Sequence, residues 1–456
     1  MPNILNRLTR VEATLILAAS LLLLFWNSFP ANAQSHHTGS AAEWDKAKVI
    51  LVHTPGNELF PGMIHPEAAL YEAPFNIQEA ADEHLEYVEK LKSSGVEKVF
   101  QVSEILLQDP STLKDLIVEL DLLEFSGSNW TDDDQKAQEK YFENNLEELQ
   151  GTDPSVLVWM ALNQPKIRLT CSEYGECGEG DYNVVADYQT TPLMNMYFTR
   201  DQVITTAEGV VIGKMKDTQR EKETKIIELV LNNLDITPVY EITGDAAVLE
   251  GGDFIPAGQR VFIGQGLRTN AEAIKKMLEN NVFGDGVEEV IVVKEKWQNQ
   301  HEMHLDTYFN IAAETTAVLV ADRFPENCES AGGGTPGNDK CLHVDVWERT
   351  TPCSGEEVGD YCLTAENTDK EFVQLLGEVG FENIIQVSVA DQIAYGINFL
   401  TVEENEIIGV DGVSPGYKTA LENAGVTATW IDFDNMKLGY GAAHCTTQVL
   451  SRIALP

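Results

Sequence analysis

Basic residues are scarce. Only 31 Lys and Arg stand against 73 Asp and Glu in 456 residues, a formal charge of −42. Such a chain is repelled by nucleic acid and by anionic membrane surfaces, whereas a small cation is drawn to it. The bland reading of the same charge is solubility. No apolar run after Trp26 is long enough to span a bilayer. No two cysteines have the C-x-x-C spacing of a zinc knuckle, and "HEMH" lacks the i, i+4 histidines of a helical zinc motif. No low-complexity linker divides the chain and no close repeat is visible, so one large domain is expected rather than several.

The first residues carry a different signal. Arg7 and Arg10 precede an apolar run from Ala13 to Trp26, and Ala31-Asn32-Ala33 offers a small-residue cleavage site. Residues 1–33 therefore read as a secretory signal cut after Ala33. The mature protein is then secreted or periplasmic and free of the membrane; an uncleaved anchor is the alternative. About 420 residues remain, enough for a sizeable core.

Export places the seven cysteines where disulfides persist. Cys171 and Cys177 bracket the loop "CSEYGEC". Cys328, Cys341, Cys353 and Cys362 crowd a Gly/Pro-rich stretch, with 12, 11 and 8 residues between successive members. Pairing within each group uses six, with three connectivities open in the second, and leaves Cys445 alone. Asn129-Trp130-Thr131 is a glycosylation sequon.

Strand and helix patterns alternate from Lys46 onward. "KVILVHTP" and "KVFQV" read as strands around the amphipathic helix "NIQEAADEHLEYVEKLKSSGV". Residues 103–165 form an acidic, helical insertion and residues 324–365 a Cys-rich one. Elsewhere "GVVIGKM", "RVFIGQG", "EEVIVVKE", "TTAVLVADRF", "IIQVSV", "NEIIGV" and "TATWIDF" continue the series as strands. The fold class is α/β.

Four polar clusters lie at strand ends or in following turns, where binding groups collect. "NMYFTRD" holds Asn195, Arg200 and Asp201; "LEGGDF" holds Glu250 and Asp253; "HEMHLDT" holds His301, His304 and Asp306; "GYGAAHCTTQ" holds His444 and Cys445. Singly these read as an ion-paired turn, capping carboxylates, a metal-like pair and a packed strand end. Together they offer a thiol, an imidazole and several carboxylates. A guanidinium is a planar, permanent cation that carboxylates grip bidentately. Attack on its carbon needs a nucleophile that later leaves, and an acid/base to protonate departing ammonia and then activate water. The set matches that task, and suits a cysteine protease poorly.

These motifs, with "KVILVHTPGNEL", "REKET" and "GQGLRTNAEAI", run in order over most of the chain, which resembles the arginine deiminase family of the guanidino-group modifying (pentein) superfamily. The resemblance implies an α/β-propeller of five pseudo-symmetric ββαβ units over residues 45–456, and hydrolysis of L-arginine to L-citrulline and ammonia through a covalent cysteine adduct. It implies Cys445 as nucleophile, His304 as general acid/base, Asp201 and Asp306 as the guanidinium's carboxylates, and Glu250 touching substrate or orienting His304. Asn195, Arg220 and Arg268 fall where the family holds the substrate's carboxylate and amine. No metal or organic cofactor is implied. The expected partner is a small guanidino substrate, with homo-oligomer formation open. One departure stands out: the family's Arg five residues ahead of the nucleophile is Tyr440 here. Agmatine or peptidyl-arginine deimination, amidino transfer and guanidino binding without catalysis are the competing expectations.

Overall fold

The run "KAKVILV" forms β1, Lys46–Val52, whose last four residues are all buried, the pattern of a strand covered on both faces. The computed structural model describes residues 38–454 apart from 120–121, 128–129, 149–152, 172–176, 178–183 and 333–339. The expected signal segment and Asn129 of the sequon lie outside the described residues. After β1 the chain enters the helix Ile77–Ser93, capped by the Asn76 side chain, which accepts from the amides of Gln78 and Glu79. Ala80, His84, Tyr87, Val88 and Leu91 recur at helical spacing and form its buried stripe. β2, Lys98–Gln101, then returns parallel to β1 with Ile50 opposite Val99.

Residues 102–190 leave this plan. They hold the helices Val102–Leu106, Pro110–Glu119, Asp132–Glu148 and Pro154–Asn163, and the strands β3 (Leu123–Ser126), β4 (Pro165–Cys171) and β5 (Val184–Thr190). The three strands make a sheet of their own in the order β3-β4-β5. The helical character expected for 103–165 is thus joined by a sheet that the sequence hid, because β5 is exposed along most of its length and shows no two-residue apolar alternation.

The strand–helix plan then recurs. β6 (Val203–Thr205) and β7 (Val210–Ile212) form a hairpin, and the helix Glu223–Asn233 carries the chain to β8 (Tyr240–Glu241), parallel to β7. β9 (Phe254–Ala257), β10 (Arg260–Gln265), the helix Ala271–Glu279 and β11 (Glu289–Lys294) repeat it. In the fourth unit β12 (Phe309–Ala313) and β13 (Thr316–Val320) are followed by the Cys-rich segment. That segment contains the helix Pro325–Gly332, β14 (His343–Arg349), β15 (Glu356–Val358) and β16 (Tyr361–Leu363). The helix Phe372–Glu378 then leads to β18, preceded by the two-residue β17, Lys370–Glu371; β18 is Asn383–Val387 and runs parallel to β13. β19 (Leu400–Glu403), β20 (Glu406–Val410), the helix Pro415–Asn423 and β21 (Thr427–Ile431) make the fifth.

The first unit lacks a hairpin partner until the end of the chain. β22, Gln448–Ile453, pairs antiparallel with β1 and supplies it. Five three-stranded units of one design result, each an antiparallel pair joined to a parallel strand through a helix. This is the pentein arrangement expected from the resemblance.

Sequence order and spatial order part company a second time in the Cys-rich segment. The Cys-rich segment lies in the fourth unit's crossover, yet β14 pairs with β11 of the third unit, Ile291 opposite Val346. Its cysteines pair as Cys328–Cys341 and Cys353–Cys362, and Cys171 pairs with Cys177. Among the described residues Cys445 is the free cysteine, and it is buried. Aromatic packing ties the units together: Phe309 of β12 has its ring 5.3 Å from Phe262 of β10 and 5.1 Å from Phe372. Truncating so buried a ring costs roughly 3–5 kcal/mol.

Candidate active site

Repetition of one unit puts five equivalent turns side by side, each leading into the first strand of its hairpin. Asp201 precedes β6, Glu250 precedes β9, His304 and Asp306 precede β12, Asn398 precedes β19, and Cys445 precedes β22. Every unit therefore contributes to one cleft. All six side chains are buried.

Close approach of these turns depends on small residues. A Cβ on Gly251 would lie 2.0 Å from the Arg200 carbonyl oxygen, and one on Gly252 would lie 2.6 Å from His304 Nδ1. The two glycines of "LEGGDF" thus let the His304 ring rest against backbone. Asp253, beside them, accepts from the amides of Leu305 at 2.9 Å and Thr269 at 3.1 Å, which fixes the segment that carries His304.

Asn398 holds the turn that carries Cys445. Its Oδ1 accepts from the amides of Ala442 (3.0 Å) and Cys445 (3.2 Å), while its Nδ2 donates to Cys445 Sγ and to the Asp306 carbonyl, both at 3.1 Å. Nothing charged marks this residue in "GINFL", and sequence reasoning missed it. The available signal was positional, since it occupies in the fifth unit the place that the other units give to Asp201, Glu250, Asp306 and Cys445.

Cys445 Sγ lies 3.5 Å from Asp306 Oδ2, an oxygen that also meets His444 Nδ1 at 2.7 Å. Burial, then the charges of Asp306 and Asp201, push the Cys445 thiol well above its ordinary pKa. At neutral pH it is uncharged. His304 Nε2 donates to Glu250 Oε2 at 2.9 Å, and its Nδ1 stands 3.7 Å from Asp201 Oδ1. Burial opposes charge on this ring, but Asp201 and the hydrogen bond to Glu250 outweigh it and raise the pKa to about 9. A protonated imidazole therefore faces a protonated thiol. Burial also works against an ionised Asp306, yet the hydrogen bond from His444 and the charges of His444 and His304 hold its pKa below the usual value.

Two carboxylate oxygens in this buried site have no hydrogen-bond partner: Asp201 Oδ1, which His304 Nδ1 approaches at 3.7 Å, and Asp306 Oδ1. Their sister oxygens are taken, Asp201 Oδ2 by Arg220 Nη1 at 2.9 Å and Asp306 Oδ2 by His444. A buried acceptor left unsatisfied is costly, so the pair marks a place for donors. Arg220, expected at the substrate's carboxylate, is buried and bonds to Glu223 as well as Asp201, and donates to the Asn195 carbonyl at 3.4 Å. Arg268 pairs with Asp217, donates to Gln300 Oε1 at 3.1 Å, and keeps its Nε unpartnered. Asn195 Nδ2 donates to the Ala69 carbonyl at 3.0 Å. Asp201, Glu250 and His304 also present ligand atoms within 4.8 Å of one another, a spacing a cation could use. Arg220 and Arg268 each lie 3.9 Å from Glu250 and already neutralise it.

Tyr440 closes the cleft together with Leu70, Phe198 and Met303. Its backbone is left-handed, φ +69°, and its ring meets His301 edge-on at 5.0 Å. Only about 10 Å³ remains for the centre of a water-sized sphere, roughly the room of one water.

Comparison with known proteins gives the family and the fold. The family described as "Arginine deiminase" matches residues 68–452. An arginine deiminase of Halobacterium salinarum is 25% identical, over 91% of this chain and 96% of that protein. One of Metamycoplasma arthritidis is 26% identical, over 90% of this chain and 96% of its own length. Among solved structures, unliganded AgrE superposes with a TM-score of 0.51 at 13% identity, over 90% of this chain but 40% of that longer one. SxtG, an amidinotransferase from Microseira wollei, superposes with a TM-score of 0.50 at 12% identity, over 92% and 98% of the two chains. At such identities the two structures speak for the fold alone.

Proposed function

The chain belongs to the arginine deiminase family, a hydrolase acting on the C–N bonds of amidines, and on that premise we propose that it converts free L-arginine to L-citrulline and ammonia through a covalent adduct on Cys445. The observation that carries the reading is the pair of unpartnered oxygens on Asp201 and Asp306, flanking a thiol and a protonated imidazole. Two buried carboxylates, each with an oxygen free of hydrogen bonds, suit a planar cation with donors on both edges.

In this mechanism the guanidinium enters between Asp201 and Asp306. Its positive charge offsets the two carboxylates that hold the thiol protonated, so on substrate binding the thiol releases its proton to solvent and the thiolate becomes available. Cys445 Sγ bonds to the guanidinium carbon, and the displaced π pair goes to nitrogen. His304 gives its proton to the leaving nitrogen, the C–N bond breaks and ammonia departs, leaving an S-linked amidinium. Neutral His304 then takes a proton from water. The hydroxide adds to the same carbon, the hydroxyl proton passes to sulfur as the C–S bond breaks, and neutral citrulline leaves with the thiol restored. Glu250 orients His304 and supports its charge. Arg268 and Asn195 lie where the substrate's carboxylate and amine belong, and Arg220 acts on that end through its bonds to Asp201 and Glu223. With Tyr440 in the place of the family's additional Arg, Arg268 takes the larger share of carboxylate recognition.

The narrow cleft, lined by Leu70, Met303 and Tyr440, supports a small substrate over a peptidyl one. Residues 45–456 form the catalytic domain in this reading. Export by the N-terminal signal fits the three disulfides, and no described helix is long and apolar enough to cross a membrane.

Ammonia release is the test, with arginine, agmatine and a blocked arginyl peptide offered separately, with and without an acceptor amine. Release from arginine alone, lost in Cys445→Ala, is expected. Equal release by that variant sinks the covalent step, and product appearing only with an acceptor amine makes the protein an amidinotransferase.

A further inference from the structure

The segment between β11 and β12 forms one wall of the cleft. Gln300 and Met303 line it, and His304 follows directly. Buried carboxylates at both ends of this segment anchor it. Glu295 accepts from the amides of Trp297 at 2.6 Å and Gln298 at 2.7 Å, and from Arg323 Nη2 at 3.0 Å. Glu302 accepts from Arg323 Nε at 2.8 Å.

A further anchor comes from outside the five units. Lys340, only 7% exposed, reaches in from the Cys-rich segment. Its Nζ lies 3.2 Å from Glu302 Oε1, 2.5 Å from Asp322 Oδ2 and 3.6 Å from the centroid of the Trp297 ring. Its carbonyl accepts from Arg323 Nη1 at 3.2 Å. The next residue, Cys341, is bonded to Cys328 on the helix that starts at Pro325. A buried ammonium is tolerated only where carboxylates and an aromatic face replace its water, and Lys340 has two of the one and one of the other.

We propose that Lys340, pinned by the Cys328–Cys341 disulfide, is a positioning residue that holds the 295–304 wall closed over the catalytic cleft through Glu302 and Trp297. It touches no reacting atom. It fixes the enclosure that Gln300 and Met303 complete, so the Cys-rich insertion is a brace for substrate binding. The kinetic part of this proposal rests on arginine as substrate; the access part does not.

Two readouts separate these parts. Cys445 is the free cysteine of the described chain, so its alkylation by iodoacetamide reports cleft access without substrate. Lys340→Met keeps the aliphatic stem and removes the charge. It is expected to speed alkylation on the order of tenfold, and to raise KM for arginine by a similar factor with kcat within about threefold, the size of a lost buried cation–π contact and ion pair. Lys340→Arg, which retains charge and ring contact, is expected to stay within about twofold of wild type on both. The double variant Cys328→Ser with Cys341→Ser leaves Lys340 intact and is expected to shift both readouts in the same direction. Unchanged alkylation in Lys340→Met or in the double variant overturns the proposal whatever the substrate. Faster alkylation in a protein that releases no ammonia from arginine upholds the brace and refutes arginine as substrate instead.

Discussion

At the scale of single residues, the site depends on a proton held on His304 where burial alone would not place it. His304 is expected to be protonated up to about pH 9, so kcat/KM should fall on an alkaline limb near that pH, where the free enzyme loses its general acid. Asp201 is the largest of the charges that raise this pKa, so Asp201→Asn should lower the His304 titration in an NMR pH series; an unmoved titration refutes the electrostatic account. The sign for stability follows from linkage. With a folded pKa above the ordinary 6.5, His304 contributes stability that is complete below pH 6.5 and is lost as pH rises through about 9. Asp253 is pushed up to about 7 by burial from an ordinary 3.8, and its contribution fades as pH rises between those values. Both make the protein less stable in alkali, a slope that denaturation midpoints between pH 6 and 9 should show. Asn398 is the residue that composition conceals. Asn398→Ala removes four hydrogen bonds around the thiol and should lower kcat roughly a hundredfold with a smaller change in KM, the size of losing a preorganised donor. Cys445, His304, Glu250, Asp201 and Asp306 were legible because ionisable groups cluster visibly at strand ends. Asn398 is neutral and sits amid apolar neighbours, so only knowledge of the repeat exposes it.

At the scale of elements, long apolar strands such as β10, β11 and β13 and stripes such as that of Ile77–Ser93 were readable, because burial on a regular period leaves a mark. The hairpin strands β6 and β9 were not, being three and four residues long, too short for any period to declare itself. The pairing of β14 with β11 was hidden as well, since strand neighbours in space are not neighbours in sequence there. The turns between elements carry the strictest demands. Gly252→Ala should cost kcat far more than stability, because the added methyl would sit 2.6 Å from His304 Nδ1 and the exposed remedy is to shift the ring; steady-state kinetics beside thermal melts check it. Behind the site, β22 brings Arg452 to Glu43, 2.5 Å away, and Glu43 stands 3.4 Å from His444 Nε2. Burial opposes a charge on Glu43, but Arg452 and His444 prevail and hold its pKa at about 2. Arg452→Leu strands that carboxylate and should destabilise the fold by about 3–5 kcal/mol in urea denaturation.

At the scale of the whole molecule, the formal charge of −42 spreads one sign over the surface, and its self-repulsion opposes the compact state. Raising salt from 0.1 M to 1 M shortens the screening length from about 10 Å to about 3 Å, so the melting temperature should rise by several degrees; a flat or falling melting temperature contradicts this. The five-unit plan itself was legible only through resemblance, since no unit resembles another closely in sequence. What repeats is the path of the backbone. The pairing of β22 with β1 gives that path a temporal side. Of the described strands β22 is the last to leave the ribosome, and the thiol emerges just ahead of it, so a nascent chain can assemble four units while the first still waits for its third strand. On the proposed mechanism a product cut short of β22 should be inactive, because the strand that completes the first unit and the proposed nucleophile arrive together. Synthesis thus carries its own safety catch: on the proposed mechanism, a guanidino substrate is beyond the reach of any chain that lacks β22.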